Sequence, residues 1–139
     1  MRALVAPDKF KGTHTASEVA EAIARGVRDA GGDPVRLPVA DGGDGTAAAL
    51  LEARGGRWVE VESLDPLGRR IDARYAELGD GAAAVDAAEA SGMGRLEERE
   101  LDPLAASSRG TGLLIAAAAE AGAREIIVAP GGSAPTDGG

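Results

Sequence analysis

The stretch Asp41-Gly42-Gly43-Asp44-Gly45-Thr46 sets two carboxylates and three glycines between two periodic segments, and it limits the possible folds more than any other feature. Residues 34 to 40 read as a strand and 47 to 53 as a helix, which puts the loop at a strand's carboxyl end. Ligands bind there in open α/β sheets. Gly42, Gly43 and Gly45 let backbone approach a phosphate, and the helix start at Thr46 offers N–H groups to an anion. Asp41 and Asp44 would repel that anion unless Mg²⁺ lay between them, bridging carboxylate and phosphate. An acidic, solvated turn has the same composition, since Asp-Gly pairs are ordinary turn formers. The loop alone leaves both readings open.

Composition narrows the classes. The 139 residues are 44% apolar and 27% charged, enough for a globular core. A net charge of −8 argues against a nucleic-acid partner, which needs a basic face. With no cysteine and one histidine, a disulfide frame and a zinc site are not expected. The N-terminal apolar run is too short for a secretory signal, and residues 113 to 119 fall well below membrane-spanning length, so a cytoplasmic protein is expected. Of fifteen basic residues only Lys9 and Lys11 are lysines. A compact ammonium suits a phosphate or carboxylate, so this pair joins the candidate site, with Asp8 beside it.

In chain order, residues 2 to 6 read as a buried strand ended by Pro7. Thr15 and Glu18 have capping-box spacing before a helix over 16 to 30, with Val19, Ile23 and Val27 on its apolar face. Gly31-Gly32 stops that helix, and the strand to Ala40 completes a β-α-β unit. After Gly55-Gly56 the period changes. Residues 58 to 61 and 71 to 75 read as strands joined through Asp65-Pro66-Leu67-Gly68, followed by a third strand over 82 to 87. Trp58 and Tyr75 are expected to pack, Phe10 to anchor its loop, and residues 97 to 100 to form a solvated charged face. Ser107-Ser108-Arg109-Gly110-Thr111-Gly112 opens a helix to Ala121 and reads equally as an anion site and as an N-cap. A strand over 125 to 129 then leads into Gly131-Gly132-Ser133, with Asp137 further along. A strand-ending glycine loop is ordinarily followed by a helix that covers the sheet, so the chain is expected to be a fragment.

The expected class is α/β: a Rossmann- or flavodoxin-like β-α-β start, then a β-ribbon and a further α/β unit, incomplete at the C-terminus. Residues 1–56 would be the N-terminal part of a first α/β domain and 57–139 the truncated start of a second. The sequence carries no signal of oligomeric state.

Four loops, at 6–12, 40–46, 107–112 and 131–139, together with Glu-Ala-Ser-Gly at 89–92, resemble in order and spacing the N-terminal portion of the bacterial class I glycerate kinases. Pro135, Thr136 and His14 depart from that family's usual residues. The resemblance implies transfer of the γ-phosphoryl group of ATP to D-glycerate, at the 2-hydroxyl, with Mg²⁺. It implies Asp8, Lys11, Asp41 and Asp44 as catalytic groups, with Asp41 and Asp44 also on the metal. Lys9, Gly42, Gly43, Gly45, Thr46, Ser107, Ser108, Arg109, Gly110, Thr111, Gly131, Gly132, Ser133 and Asp137 would bind substrate or phosphate. The competing reading is an inactive truncated product, or a nucleotide- or phosphate-binding module without phosphoryl transfer.

Overall fold

The computed structural model describes residues 1–10 and 12–138, and the chain divides into two compact units, Met1–Asp41 and Gly42–Gly139. In the first unit, β1 (Arg2–Val5) and β2 (Asp33–Arg36) pair in parallel through α1 (Ala16–Asp29). The capping box forms as the spacing requires: the Glu18 amide donates to Thr15 Oγ at 3.2 Å and the Thr15 amide to Glu18 Oε2 at 2.8 Å. Gly31, at φ +75°, ends the helix in a conformation other residues resist.

Two expectations change here. The expected strand to Ala40 is shorter because Pro38 brings no N–H; the Leu37 and Val39 amides still donate to the carbonyls of Val5 and Pro7 on either side of it. The buried face of α1 is the small pair Ala20 and Ala24, while Ile23 stays 46% exposed and Val19 and Val27 half-buried. Alanine lets the helix approach the strands closely, which leaves the larger side chains at the flanks.

The second unit begins with α2 (Thr46–Arg54), which leads into β3 (Gly56–Leu64), β4 (Arg70–Leu78) and β5 (Ala82–Asp86); α3 (Ala88–Ser91) and α4 (Arg109–Glu120) precede β6 (Glu125–Ala129). The sheet order is β3-β4-β5-β6, antiparallel except for the parallel β5–β6 pair that α4 connects. Strands β3 and β4 extend beyond their apolar centres because charged ends pair across the ladder, Arg57 with Glu77 at 2.7 Å and Arg70 with Glu62 at 3.4 Å.

Side-chain alternation sorts the sheet into two packed faces. Ala73, Tyr75, Ala83 and Val85 meet Leu114 and Ala118 of α4 and Ala90 of α3. Ala76, Leu78, Ala82 and Ala84 meet Ala47 of α2, with Trp58 and Ile127 beside them. Fully burying Leu114 contributes roughly 1.5–3 kcal/mol, an upper estimate. Tyr75 packs in the core as expected, and Trp58 also stacks under the Arg74 guanidinium, 4.1 Å from its ring centroid. Phe10 departs from its expectation: its ring is 62% exposed, and its loop is closed instead by backbone bonds with His14.

The β3–β4 turn is built around Asp65, which is buried. Its Oδ1 accepts from the amides of Leu67 and Arg69, each at 2.9 Å, and its Oδ2 pairs with the Arg69 guanidinium, which also reaches Glu100. Glu100 therefore leaves the solvated face expected of residues 97 to 100. Burial alone would raise the Asp65 carboxyl, but these donors outweigh it and hold it below the usual carboxylate range. A depressed carboxyl stabilises the fold above its unfolded-state range, and that stabilisation is lost as pH falls through the folded value. Asp65→Asn should therefore cost about 1–3 kcal/mol at neutral pH, with the deficit shrinking in acid. Urea unfolding followed by Trp58 fluorescence measures it, and a deficit independent of pH contradicts this account.

Candidate active site

The candidate residues of the first unit meet because β1 and β2 are parallel, so both carboxyl ends lie on one side. Lys9 follows β1 and Asp41 follows β2; Lys9 Nζ lies 3.9 Å from Asp41 Oδ1, with the lysine side chain 22% exposed. The Asp8 carboxylate accepts from the Lys9 amide at 2.7 Å, which fixes the turn. Lys11 lies outside the described residues.

In the second unit the glycine-rich loop enters α2 through Gly45, whose φ of +96° places it at the N-cap without a capping side chain of its own. The cap comes from elsewhere. Asp86, the last residue of β5, accepts from the Gly45 amide at 2.8 Å and the Ala47 amide at 2.9 Å. Strand parity directs it there, since Ala82, Ala84 and Asp86 share the face that α2 covers. Burial pushes the Asp86 carboxyl up; the two amides oppose that, and Asp44 and Glu89 add to it. Asp86 thus supplies a side-chain acceptor at this helix start. Asp86 was missed in the sequence because it ends an apolar strand; a lone carboxylate there, just before a helix, is the signal that could have found it.

Gly42, Gly43 and Gly131 come together. The Gly131 amide donates to the Gly42 carbonyl at 3.1 Å, and a Cβ on Gly131 would stand 2.6 Å from Gly43 Cα. The two loops cross backbone on backbone, which only glycine allows. Thr46 Oγ donates to the Gly43 carbonyl at 2.7 Å and closes the loop, while Asp44 faces solvent.

The third expected motif divides. Gly110 is buried so close to β3 that a Cβ would overlap the Leu64 carbonyl, and Thr111 donates its hydroxyl to Ser91 Oγ at 2.8 Å. The Glu-Ala-Ser-Gly segment supplies that Ser91. Thr111 also lines, with Ser107, Ser108, Arg109, Ser133 and Asp137, a cavity of about 880 Å³. At its rim the Asp137 carboxylate accepts from the Ser108 amide at 2.7 Å, and Ser107 Oγ from the Arg109 amide at 3.2 Å. Gly132 is tied to the segment after α3, its carbonyl accepting from the Met93 amide at 3.0 Å.

Among the described residues no three His, Cys, Asp or Glu side chains converge as a metal cage. Mg²⁺ does not need one: it keeps several waters and takes one or two carboxylates plus substrate phosphates. The exposed carboxylates of Asp41 and Asp44 are of the kind that fits. No helix among the described residues is long and apolar enough to cross a membrane.

These elements define an α/β fold with glycine-rich loops after its strands, and comparison with known proteins specifies the family. Residues 3–139 match the model of the glycerate kinase family. The chain is 45% identical to a glycerate kinase of Bacillus subtilis and 44% identical to a glycerate 2-kinase of Escherichia coli, over all of its own length and 37% of theirs. A crystal structure from Salmonella typhimurium LT2, provisionally named glycerate kinase 2, superposes with a TM-score of 0.85 at 45% identity, covering 100% of this chain and 38% of that one. The chain belongs to the glycerate kinase family. It spans just over a third of the length of these relatives.

Asp86→Ala should leave the Gly45 and Ala47 amides without their acceptor and cost about 1–3 kcal/mol, with Asp86→Asn losing less because one acceptor oxygen remains. Urea unfolding read by Trp58 fluorescence checks this; an Ala variant as stable as the parent removes Asp86 from the cap.

Proposed function

We propose that these loops serve ATP-dependent phosphorylation of D-glycerate at its 2-hydroxyl. The observation that carries the proposal is the pairing of family membership with the Lys9–Asp41 contact and the glycine crossing of Gly42, Gly43 and Gly131. In the reaction a bond forms between the glycerate 2-oxygen and the γ-phosphorus, the bond to the ADP oxygen breaks, and the hydroxyl proton passes to a carboxylate. Asp8, Asp41 or Asp44 takes that proton or holds Mg²⁺, which neutralises phosphate charge when bound. Lys11, with Lys9 or Arg109, binds a phosphate or the glycerate carboxylate, and Gly131, Gly132, Ser133 and Asp137 belong to the glycine-rich wall.

Phosphoryl transfer depends on positioning and charge neutralisation more than on covalent chemistry. A protein of net charge −8 must therefore attract anions locally. One lysine–oxyanion pair at about 4 Å is worth ~4 kcal/mol at an effective dielectric near 20, whereas distant charges are screened beyond ~8 Å. Local geometry outweighs net charge. A second reading is nucleotide binding without phosphoryl transfer.

The test is ADP release with ATP, Mg²⁺ and D-glycerate, on this chain and on the chain extended to the length of its relatives. Glycerate-dependent release in the extended protein is expected, with Lys11→Ala and Asp41→Asn each lowering turnover at least tenfold, or ~1.4 kcal/mol. Turnover within threefold of the parent would refute these roles. Nucleotide binding with no release in either protein would leave the second reading.

A further inference from the structure

The Asp44 carboxylate stands on a backbone that does not set its own direction. Gly42, Gly43 and Gly45 surround it, and Gly42 and Gly45 take positive φ values of +85° and +96°. Glycine has more backbone freedom to lose than any other residue, so the way Asp44 points depends on ties from beyond local preference. On its N-terminal side the Gly131 amide holds the Gly42 carbonyl, and Gly131 stands against Gly43 Cα. On its C-terminal side the tie is Asp86, whose Oδ2 accepts from the Gly45 amide at 2.8 Å. That amide shares a peptide plane with the Asp44 carbonyl, so Asp86 fixes the backbone directly after Asp44.

Asp86 is itself firmly anchored. It is 2% exposed, it ends β5 in register with Ala129 of β6, and the next residue, Ala87, donates its amide to the Ala129 carbonyl at 2.9 Å. The Ala87 carbonyl accepts from the Ser91 amide at 2.7 Å with Thr111 Oγ 3.3 Å away, and the Ser91 carbonyl accepts from the Ala134 amide at 2.8 Å. Residues 86 to 91 therefore carry bonds to the loops at 42–46, 107–112 and 131–139. Helix capping alone does not call for this arrangement. A Ser or Asp at the loop's own N-cap would cap a helix without burying a carboxyl group, and burying one costs free energy that its bonds must offset. We infer that Asp86 is a positioning residue for phosphoryl transfer, holding the Gly45 amide so that the Asp44 carboxylate keeps the direction that turnover requires. The inference rests on the kinase reading and deepens it, by giving Asp44 a part in turnover and naming the group that aims it. Asp86 is buried and acts only through Asp44.

The test is a double-mutant cycle in the chain extended to the length of its relatives. ADP release with ATP, Mg²⁺ and D-glycerate is measured for the parent, Asp86→Asn, Asp44→Asn and the two together, with urea unfolding to show that each is folded. Asp86→Asn keeps one acceptor oxygen but turns an NH₂ donor toward one of the two amides, so the loop shifts while the site stays filled. A misplacement of about 1 Å can cost ~10²-fold in rate. Asp86→Asn is expected to lower kcat at least tenfold with the KM for D-glycerate within threefold of the parent. In the Asp44→Asn background the same change should lower kcat less than threefold, because residues that act as a unit are not additive. A loss of fold stability alone would lower activity by the same factor in both backgrounds. If Asp86→Asn does not fold, Asp86→Glu, which keeps the carboxylate but displaces it by one methylene, is read in the same cycle. Parent-like turnover in a folded Asp86 or Asp44 variant, or an equal factor lost with and without the Asp44 carboxylate, would overturn the inference while leaving the kinase reading standing. A parent that releases no ADP with glycerate would overturn both.

Discussion

The second unit depends on one buried carboxylate. Asp86 ends β5 and holds the first amides of α2, so the glycine-rich loop cannot drift from the sheet without exposing a helix terminus. Helix α2 packs Ala47 into the core with Leu50 and Leu51 half-buried beside it, and Arg54 pairs with Asp80 at its far end, but its N-cap is a glycine without a side chain. A carboxyl cap on the Gly45 and Ala47 amides fixes both the start of the helix and the loop before it.

Once that loop is fixed, the glycines acquire their meaning. Gly131 and Gly43 touch through backbone alone, so the loops leaving β6 and entering α2 reach closer than side chains permit. The crossing sits where β5 and β6 run parallel, and the Ala87 amide donating to the Ala129 carbonyl at 2.9 Å continues that pairing one step past β5. Packing, capping and close approach converge on one end of the sheet. That convergence is the structural basis for reading the carboxyl ends as the functional end.

Much of this was legible because local rules govern it. The capping box at Thr15 and Glu18, the stop at Gly31, the hairpin around Asp65 and the strand–loop–helix order about Gly45 all depend on residues a few positions apart. What was hidden depends on partners far apart in the chain. Asp86 reads as the end of an apolar strand, and only the tertiary fold brings Gly45 to it. Gly110 sits in a motif that reads equally as an anion site and as an N-cap, and only the tertiary fold sets it against the Leu64 carbonyl. Ile23 has ideal helical spacing for burial, but Ala20 and Ala24 set the distance to the strands. Strand lengths were underestimated because charged cross-strand pairs extend β3 and β4 beyond their apolar centres.

The most direct test of this account is amide hydrogen exchange, followed residue by residue, at Gly45 and Ala47. If Asp86 locks the loop to the sheet, both amides exchange only with the global unfolding that releases Val85 and Ala84 in β5. Exchange of Gly45 and Ala47 at the rate of solvent-exposed loop amides, with β5 still protected, would contradict it.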